Sequence, residues 1–164
     1  RGKFILTGDA DTAYPDTWVD AMVKPLMKGE GLVATYGTYS FVPSAGKSRL
    51  ILAIYEFFRD IIQALRSINH PELVVVGMNF CFIREEAMKF GFIRNNSRME
   101  DGQMAYNLMK SGKIKRVTSL VSRAWTGTRT VEKSGSLFSA VYVRVLKELK
   151  RIGIYFHRNT GLNL

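Results

Sequence analysis

The sequence predicts an α/β fold, in which helices flank a sheet. Short apolar runs rich in β-branched and aromatic residues recur along the chain, and segments with helical spacing of apolar residues lie between them. This alternation is typical of α/β proteins. The length of 164 residues, with 46% apolar and 23% charged residues, is enough for one globular domain with a core.

The N-terminal half begins with a strand that is followed by two acidic residues. Phe4–Leu6 is an apolar run that predicts a buried strand, and Gly8 permits a turn after it. Because the chain opens almost directly on this strand without a Met, we expect a preceding segment. The next predicted elements are a helix from Tyr14-Pro15-Asp16 through Met27, a strand over 32–36, a loop over 37–48 and a helix over 49–68.

The predicted helix over 49–68 carries an unusually wide apolar stripe. Such breadth indicates burial between two layers, or a face that meets an apolar partner. Core packing is the interpretation that we favour. The stripe consists of Leu50, Ile54, Phe57, Phe58, Ile61, Leu65 and Ile68, widened by Ile51, Tyr55 and Ile62.

The C-terminal half continues the alternation of strands and helices. Its predicted elements are strands over 74–76 and 79–83, a helix over 85–90, a helix that opens at Glu100 or Asp101 and stops at Gly112, a basic strand over 113–118 and a helix over 137–152. We therefore expect a catalytic domain over 1–135 and a C-terminal amphipathic helix with its tail over 136–164.

The formal net charge of +10 lies entirely in residues 83–164. This bias favours an anionic partner, such as a nucleotide phosphate, a lipid phosphate, an anionic membrane surface or a nucleic acid. No nucleic acid is expected, because the sequence shows no recognition-helix motif and no aromatic pattern of an RNA-binding sheet. The single Cys81 excludes a disulfide framework and a cysteine zinc site.

Asp9 and Asp11 follow the first strand at a spacing of two residues. In open α/β sheets, ligands bind outside the carboxyl ends of strands. Two carboxylates there can hold a hard divalent cation, which can bridge the phosphates of a nucleotide. The alternative is structural, since Asp9, Asp11 or Asp16 can cap the helix that follows.

Glu100 and Asp101 form the second acidic pair, at the start of a predicted helix. Carboxylates in this position cap a helix and interact favourably with its dipole. One of them can also act as a general base, which requires a carboxylate within reach of the proton that it removes. The two interpretations are compatible, because one residue can anchor the helix while the other acts.

The order of the motifs narrows the function. After Asp9 and Asp11 come Gly77-Met78-Asn79-Phe80-Cys81-Phe82-Ile83-Arg84, then Phe90-Gly91-Phe92, Glu100-Asp101, a helix that ends in Lys110-Ser111-Gly112, and finally Arg123-Ala124-Trp125. This series resembles the catalytic half of a family 2 glycosyltransferase with the GT-A fold. The resemblance covers about residues 1–130 and implies a mixed sheet flanked by helices, whose N-terminal βαβ part is missing from this chain.

The resemblance also implies a role for each matching residue. Asp11, with Asp9, would hold Mg²⁺ or Mn²⁺ on the diphosphate of a nucleotide sugar, and Arg123 would face the same diphosphate. Asp101, beside Glu100, would be the base that deprotonates the acceptor hydroxyl, with inversion at the anomeric carbon. The turn formed by Gly77, Met78 and Asn79 would flank the pocket for the sugar and the acceptor.

Several features limit or extend the resemblance. The Gln-x-x-Arg-Trp motif of processive members is absent, which indicates transfer of a single sugar. The acceptor is expected to be a glycan or a lipid-linked saccharide, and the protein to be bacterial and cytoplasmic.

The basic C-terminal segment is either a solvated helix face or a peripheral contact with the inner face of the membrane. The alternative function is a catalytically silent fragment or a basic module that binds an anionic partner.

Overall fold

The computed structural model describes residues 2–43, 48–91 and 100–128. The helices and strands of these described residues lie in one compact unit, Arg1–Gly127. In chain order the elements are β1 Phe4–Thr7, β2 Thr12–Ala13, α1 Trp18–Met27, β3 Leu32–Gly37, β4 Tyr39–Val42, α2 Arg49–Asn69, β5 Phe80–Ile83, α3 Arg84–Met88, α4 Glu100–Met109, β6 Lys113–Val117 and β7 Ala124–Gly127.

The main sheet has four strands in the order β1-β5-β3-β6. Strand β5 runs antiparallel to both of its neighbours, and β3 and β6 are parallel. The sheet is therefore mixed, and helices pack on both of its faces. This confirms the predicted α/β class with a mixed sheet flanked by helices.

The alternation of side chains along β5 separates two cores. Phe80 and Phe82 point into a cluster that also contains buried residues of α4, such as Leu108. Cys81 points to the opposite face, where it packs with Met22 of α1. The central strand thus has apolar neighbours on both sides, which explains why it reads in the sequence as a continuous apolar run.

Three predicted elements differ from the structure. The helix predicted from Tyr14-Pro15-Asp16 begins only at Trp18. The predicted loop over 37–48 contains strand β4, which pairs in parallel with β7 in a second sheet of order β2-β7-β4. Local sequence gives little sign of β4 because its partner strand lies more than 80 residues away. The predicted strand over 74–76 does not form, although Val74 and Val75 are buried in the core. A 3-10 turn over Pro71–Leu73 leads the chain into the core there.

The orientation of α2 is the opposite of the one we favoured from its sequence. Its buried residues are Leu52, Glu56 and Arg59, so its polar groups face the protein. Eight of the ten side chains of its stripe are exposed, whereas Tyr55 and Ile62 are half-buried. The prediction of core packing for this stripe was therefore wrong.

The remaining predictions concern the C-terminal region. The helix over 137–152 and the domain boundary at 135/136 lie outside the described residues. Within the described ranges, the helices are too short or too polar to cross a bilayer.

Candidate functional site

A 3-10 turn over Gly77–Asn79 lies at the centre of the candidate site. Strand β1 ends beside this turn because Thr7, its last residue, pairs with Phe80 at the start of β5. The hydroxyl of Thr7 donates a hydrogen bond to the carbonyl oxygen of Gly77. The antiparallel pairing thus places the acidic loop that follows β1 next to the turn.

Tyr14 joins the acidic loop to the same turn. Its hydroxyl accepts a hydrogen bond from the backbone N–H of Asp9 at 2.9 Å and donates one to the carbonyl oxygen of Met78 at 2.8 Å. Its ring lies against Trp18, with the ring centroids 4.2 Å apart. A side chain at Gly8 would collide with the Tyr14 hydroxyl, so this glycine is required for the close approach.

Asp101 reaches the turn from the first turn of α4. The backbone N–H of Gly77 donates a hydrogen bond to Oδ2 of Asp101 at 2.9 Å. The approach is close, since a Cβ on Gly77 would lie 2.6 Å from Oδ1 of Asp101. The turn therefore brings the Asp9 loop and Asp101 together, although about 90 residues separate them in the chain.

The surroundings of Asp101 raise the pKa of its carboxyl group. Burial of the carboxyl group against the turn raises the pKa of Asp101 above its ordinary value. The negative charges of Asp9 and Glu100 raise this pKa further, whereas the hydrogen bond from Gly77 acts in the opposite direction. A carboxylate whose pKa is raised in this way is better suited to accept a proton than an ordinary surface aspartate.

Asn79 holds the turn in place. Its side chain is fully buried, and its Nδ2 group donates to the carbonyl oxygens of Thr38 and Ser122 at 2.8 and 2.9 Å. Its Oδ1 accepts a hydrogen bond from Nε1 of Trp18 at 2.9 Å. The side chain of Asn79 is thus occupied within the protein, and its expected role at the pocket acts through the turn that it supports.

Arg123 follows Ser122, whose carbonyl oxygen accepts a hydrogen bond from Asn79, and it lies against α2. Its guanidinium group donates hydrogen bonds to Oδ2 of Asp60 and to the hydroxyl of Ser40. Its Nε is buried and has no hydrogen-bond partner among the described residues. The structure thus holds Arg123 through α2 and β4, and its contact with a diphosphate stays a prediction.

Asp9 and Asp11 are both exposed on the loop after β1. Their oxygen donors suit a hard cation such as Mg²⁺ or Mn²⁺. The negative charge of Asp9 acts on the carboxyl group of Asp101, and a cation would relieve this repulsion. In the part of the chain that the structure describes, no group of three or more metal-ligating side chains is present. Substrate oxygens or water would have to complete the coordination.

The solved structures to which this chain is similar include two 3-phosphoglycerate glycosyl synthases, both of limited similarity. No family model matches the chain, and no curated protein matches it. Glucosyl-3-phosphoglycerate synthase from Mycobacterium tuberculosis, solved with phosphoglyceric acid, is 22% identical over 72% of this chain and 40% of that chain, with a TM-score of 0.44. Mannosyl-3-phosphoglycerate synthase from Rubrobacter xylanophilus is 16% identical over 100% of this chain and 50% of that chain, with a TM-score of 0.35.

This chain therefore spans half or less of the length of the two structures.

Sequence reasoning did not identify the contacts that assemble the site, and it favoured helix packing for Tyr14. Thr7 and Tyr14 connect the acidic loop to the turn, through bonds between residues 64 or more positions apart. No local sequence pattern predicts such contacts. The one available signal was the composition of the loop, in which a tyrosine closely follows the two aspartates.

Proposed function

We propose that the chain is the catalytic half of a metal-dependent, inverting glycosyltransferase of family 2 type. It would transfer one sugar from a nucleotide-diphosphate donor to an acceptor hydroxyl. The observation that carries this proposal is the direct link from the Gly77 turn to Asp101 on one side and, through Tyr14, to Asp9 on the other.

The proposed reaction needs a base on the acceptor side. The acceptor oxygen attacks the anomeric carbon, its proton passes to Asp101, and the bond from that carbon to the diphosphate breaks. The raised pKa of Asp101 supports this assignment, because it brings the carboxyl group closer to the pKa that an efficient base requires. Glu100 lies beside it at the exposed start of α4 and contributes negative charge.

The proposed donor site lies on the acidic loop. Asp9 and Asp11 would hold Mg²⁺ or Mn²⁺ there, and the bound cation would neutralise charge on the diphosphate leaving group. The hydrogen bond between the Asp9 backbone and Tyr14 fixes the start of this loop. The carboxylates would then be held in place before the donor binds, which lowers the entropic cost of binding.

The described residues give no specific support to a basic binding module. They contain 13 Lys and Arg residues and 12 Asp and Glu residues, so almost the entire positive excess of the sequence lies outside them. The acidic pairs at the Gly77 turn would also repel a polyanion in the absence of a cation.

Calorimetric titration of Mn²⁺ with UDP or GDP tests the proposal. We expect metal-dependent binding of the diphosphate that is lost in Asp11→Ala and retained in Asp101→Asn. Asp16→Asn is the matched control, because Asp16 is also an exposed aspartate near the loop but has no proposed role. Binding that is unchanged in Asp11→Ala would contradict the metal assignment, and binding without metal would contradict the metal dependence.

A further inference from the structure

The exposed apolar face of α2 forms a continuous stripe. At roughly 180 Å² for a fully exposed residue of this size, the stripe presents on the order of 800 Å² of surface. The largest apolar patch of a typical monomer is about 300–600 Å². Its eight members are 42–75% exposed: Leu50, Ile51, Ile54, Phe57, Phe58, Ile61, Leu65 and Ile68. We call this set the α2 stripe.

The α2 stripe follows a heptad repeat. Ile54, Ile61 and Ile68 are seven residues apart and take position a, while Leu50 and Phe57 take position d. Ile51, Phe58 and Leu65 fall at position e, which widens the seam. Apolar residues at a, d and e are typical of a helix that packs against another helix.

The opposite face of α2 is fixed to the protein by a charge network. Glu56 accepts hydrogen bonds from Arg49, Ser40 and the backbone N–H of Phe41. Arg59 donates to Asp60 and lies over the ring of Tyr39, 4.0 Å from its centroid. The helix therefore cannot turn its apolar stripe inward without breaking buried ion pairs and hydrogen bonds.

The same network favours a protein partner over a lipid surface. An interfacial helix at a membrane presents a charged face, rich in Lys and Arg, to the headgroups. Four of the five charged residues of α2 are engaged by the protein, namely Arg49, Glu56, Arg59 and Asp60. What remains outside is a stripe without Lys, Arg, Asp or Glu, which resembles the apolar core of a protein interface.

We propose that two copies of this chain associate through their α2 stripes. A second copy supplies the same heptad surface, so the contact is self-complementary and closes about a two-fold axis. The exposed area of the α2 stripe matches the roughly 800 Å² that each partner contributes to a standard interface. The helix has 21 residues and spans about 30 Å, which is long enough for the whole stripe to be covered by its counterpart.

Sedimentation velocity and light scattering over a wide concentration range test the proposal. We expect wild type at twice the mass of the 18.6 kDa chain. Phe57→Glu should weaken the dimer by about 30-fold or more, since a charge is placed in the centre of the interface. Met27→Lys is the matched control, because Met27 is an apolar residue outside the stripe that is at least as exposed as Phe57, and it should leave the dimer intact.

Cross-linking gives a second measurement that does not depend on a destabilising change. Ile61→Cys places a thiol near the middle of the stripe, and a short bismaleimide should join two chains there. The native Cys81 should not react, because it is buried and burial raises its pKa to about 12. Three results would overturn the proposal. They are a monomeric wild type, a dimer that persists in Phe57→Glu, and a monomer that binds neutral lipid vesicles through the stripe.

Discussion

Two carboxyl groups in this protein, Asp101 at the Gly77 turn and Glu56 in α2, lie in opposite environments. Burial raises the pKa of both groups. At Glu56 the hydrogen bonds from Arg49, Phe41 and Ser40 outweigh burial and hold the pKa below its ordinary value. At Asp101 the neighbouring charges are negative, and the pKa is raised. A carboxylate that is paired with a cation and with hydrogen-bond donors therefore stabilises the structure around α2. A carboxylate with acidic neighbours lies at the proposed active site.

The largest expected effect is the loss of transfer in Asp101→Asn. Without a base, the rate should fall by at least about 100-fold, which an assay of sugar transfer would measure. Glu85→Gln is the control, because Glu85 is an exposed carboxylate at the start of α3, and its rate should be unchanged. A variant of Asp101 that retains the wild-type rate would contradict its role as base.

The stability of Asp101→Asn should increase relative to wild type, although its rate of transfer falls. Because folding raises the pKa of Asp101, the ionised carboxylate destabilises the fold once the pH exceeds that pKa. Asp101→Asn removes this effect and keeps an oxygen that can accept the Gly77 hydrogen bond. Its melting temperature relative to wild type should therefore increase as the pH rises from about 3 to 7.

Glu56→Ala should have the largest effect on stability. The change leaves the buried Phe41 N–H and the Ser40 hydroxyl without their acceptor and breaks the ion pair with Arg49, at a cost of about 2–4 kcal/mol in the free energy of unfolding. Urea denaturation at pH 7 measures it. The matched control, Glu85→Ala, removes an exposed carboxylate at the start of α3, and little change is expected.

The stabilisation from Glu56 should also depend on pH. Because folding lowers the pKa of this group, its contribution is complete above the unfolded value of about 4.3 and is lost as the pH falls through the folded pKa. The difference between wild type and Glu56→Ala should therefore shrink in acid. An equal difference at pH 7 and pH 3 would contradict the charge-based explanation.

Gly77→Ala tests whether the turn positions Asp101. The added Cβ would lie within 2.7 Å of both carboxylate oxygens, so the carboxyl group must move. A displacement of about 1 Å can reduce the rate by about 100-fold, while binding of the donor diphosphate should be retained. Gly127→Ala is the control, since a Cβ there meets no atom within 4 Å. Equal rates for the two variants would show that the turn does not position the base.

The sequence predicted features that depend on local interactions and did not predict those that depend on contacts between distant residues. Strands β1, β3 and β5 were predicted within about two residues because their apolar runs are local signals. The spacing of apolar residues along α2 defined a stripe but not the side of the helix that faces the protein. That side is set by Glu56 and Asp60, whose partners lie in β4 and at Arg123.

The candidate site shows the same limit. The order of motifs singled out Asp9 and Asp101, and the structure brings their segments together at the Gly77 turn. The hydrogen bonds of Tyr14 and the burial of Asn79 could not be predicted, because both depend on backbone atoms of residues distant in the chain. Polar side chains that bond to distant backbone atoms leave no periodic pattern in a sequence.

Tyr14→Phe should have a moderate effect on the acidic loop. The change removes the hydrogen bonds to Asp9 and Met78 and keeps the ring against Trp18, so we expect a loss of about 1–2 kcal/mol in stability and weaker binding of metal and diphosphate. Thermal unfolding and calorimetry measure the two effects. Tyr106→Phe, at an exposed position of α4, serves as the control. Unchanged metal binding in Tyr14→Phe would show that the loop does not depend on this bridge.

The smallest expected effect is a shift in the pKa of Asp101 when the charge of Asp9 is removed. Burial is the main cause of the raised pKa, and the Asp9 carboxylate adds to it through space. Asp9→Asn should therefore lower the pKa of Asp101 without restoring its ordinary value, as carbon-detected NMR titration of the carboxyl group would show. Asp20→Asn, an exposed aspartate on α1, should leave it unchanged. No shift in Asp9→Asn would contradict the electrostatic effect of the Asp9 carboxylate on Asp101.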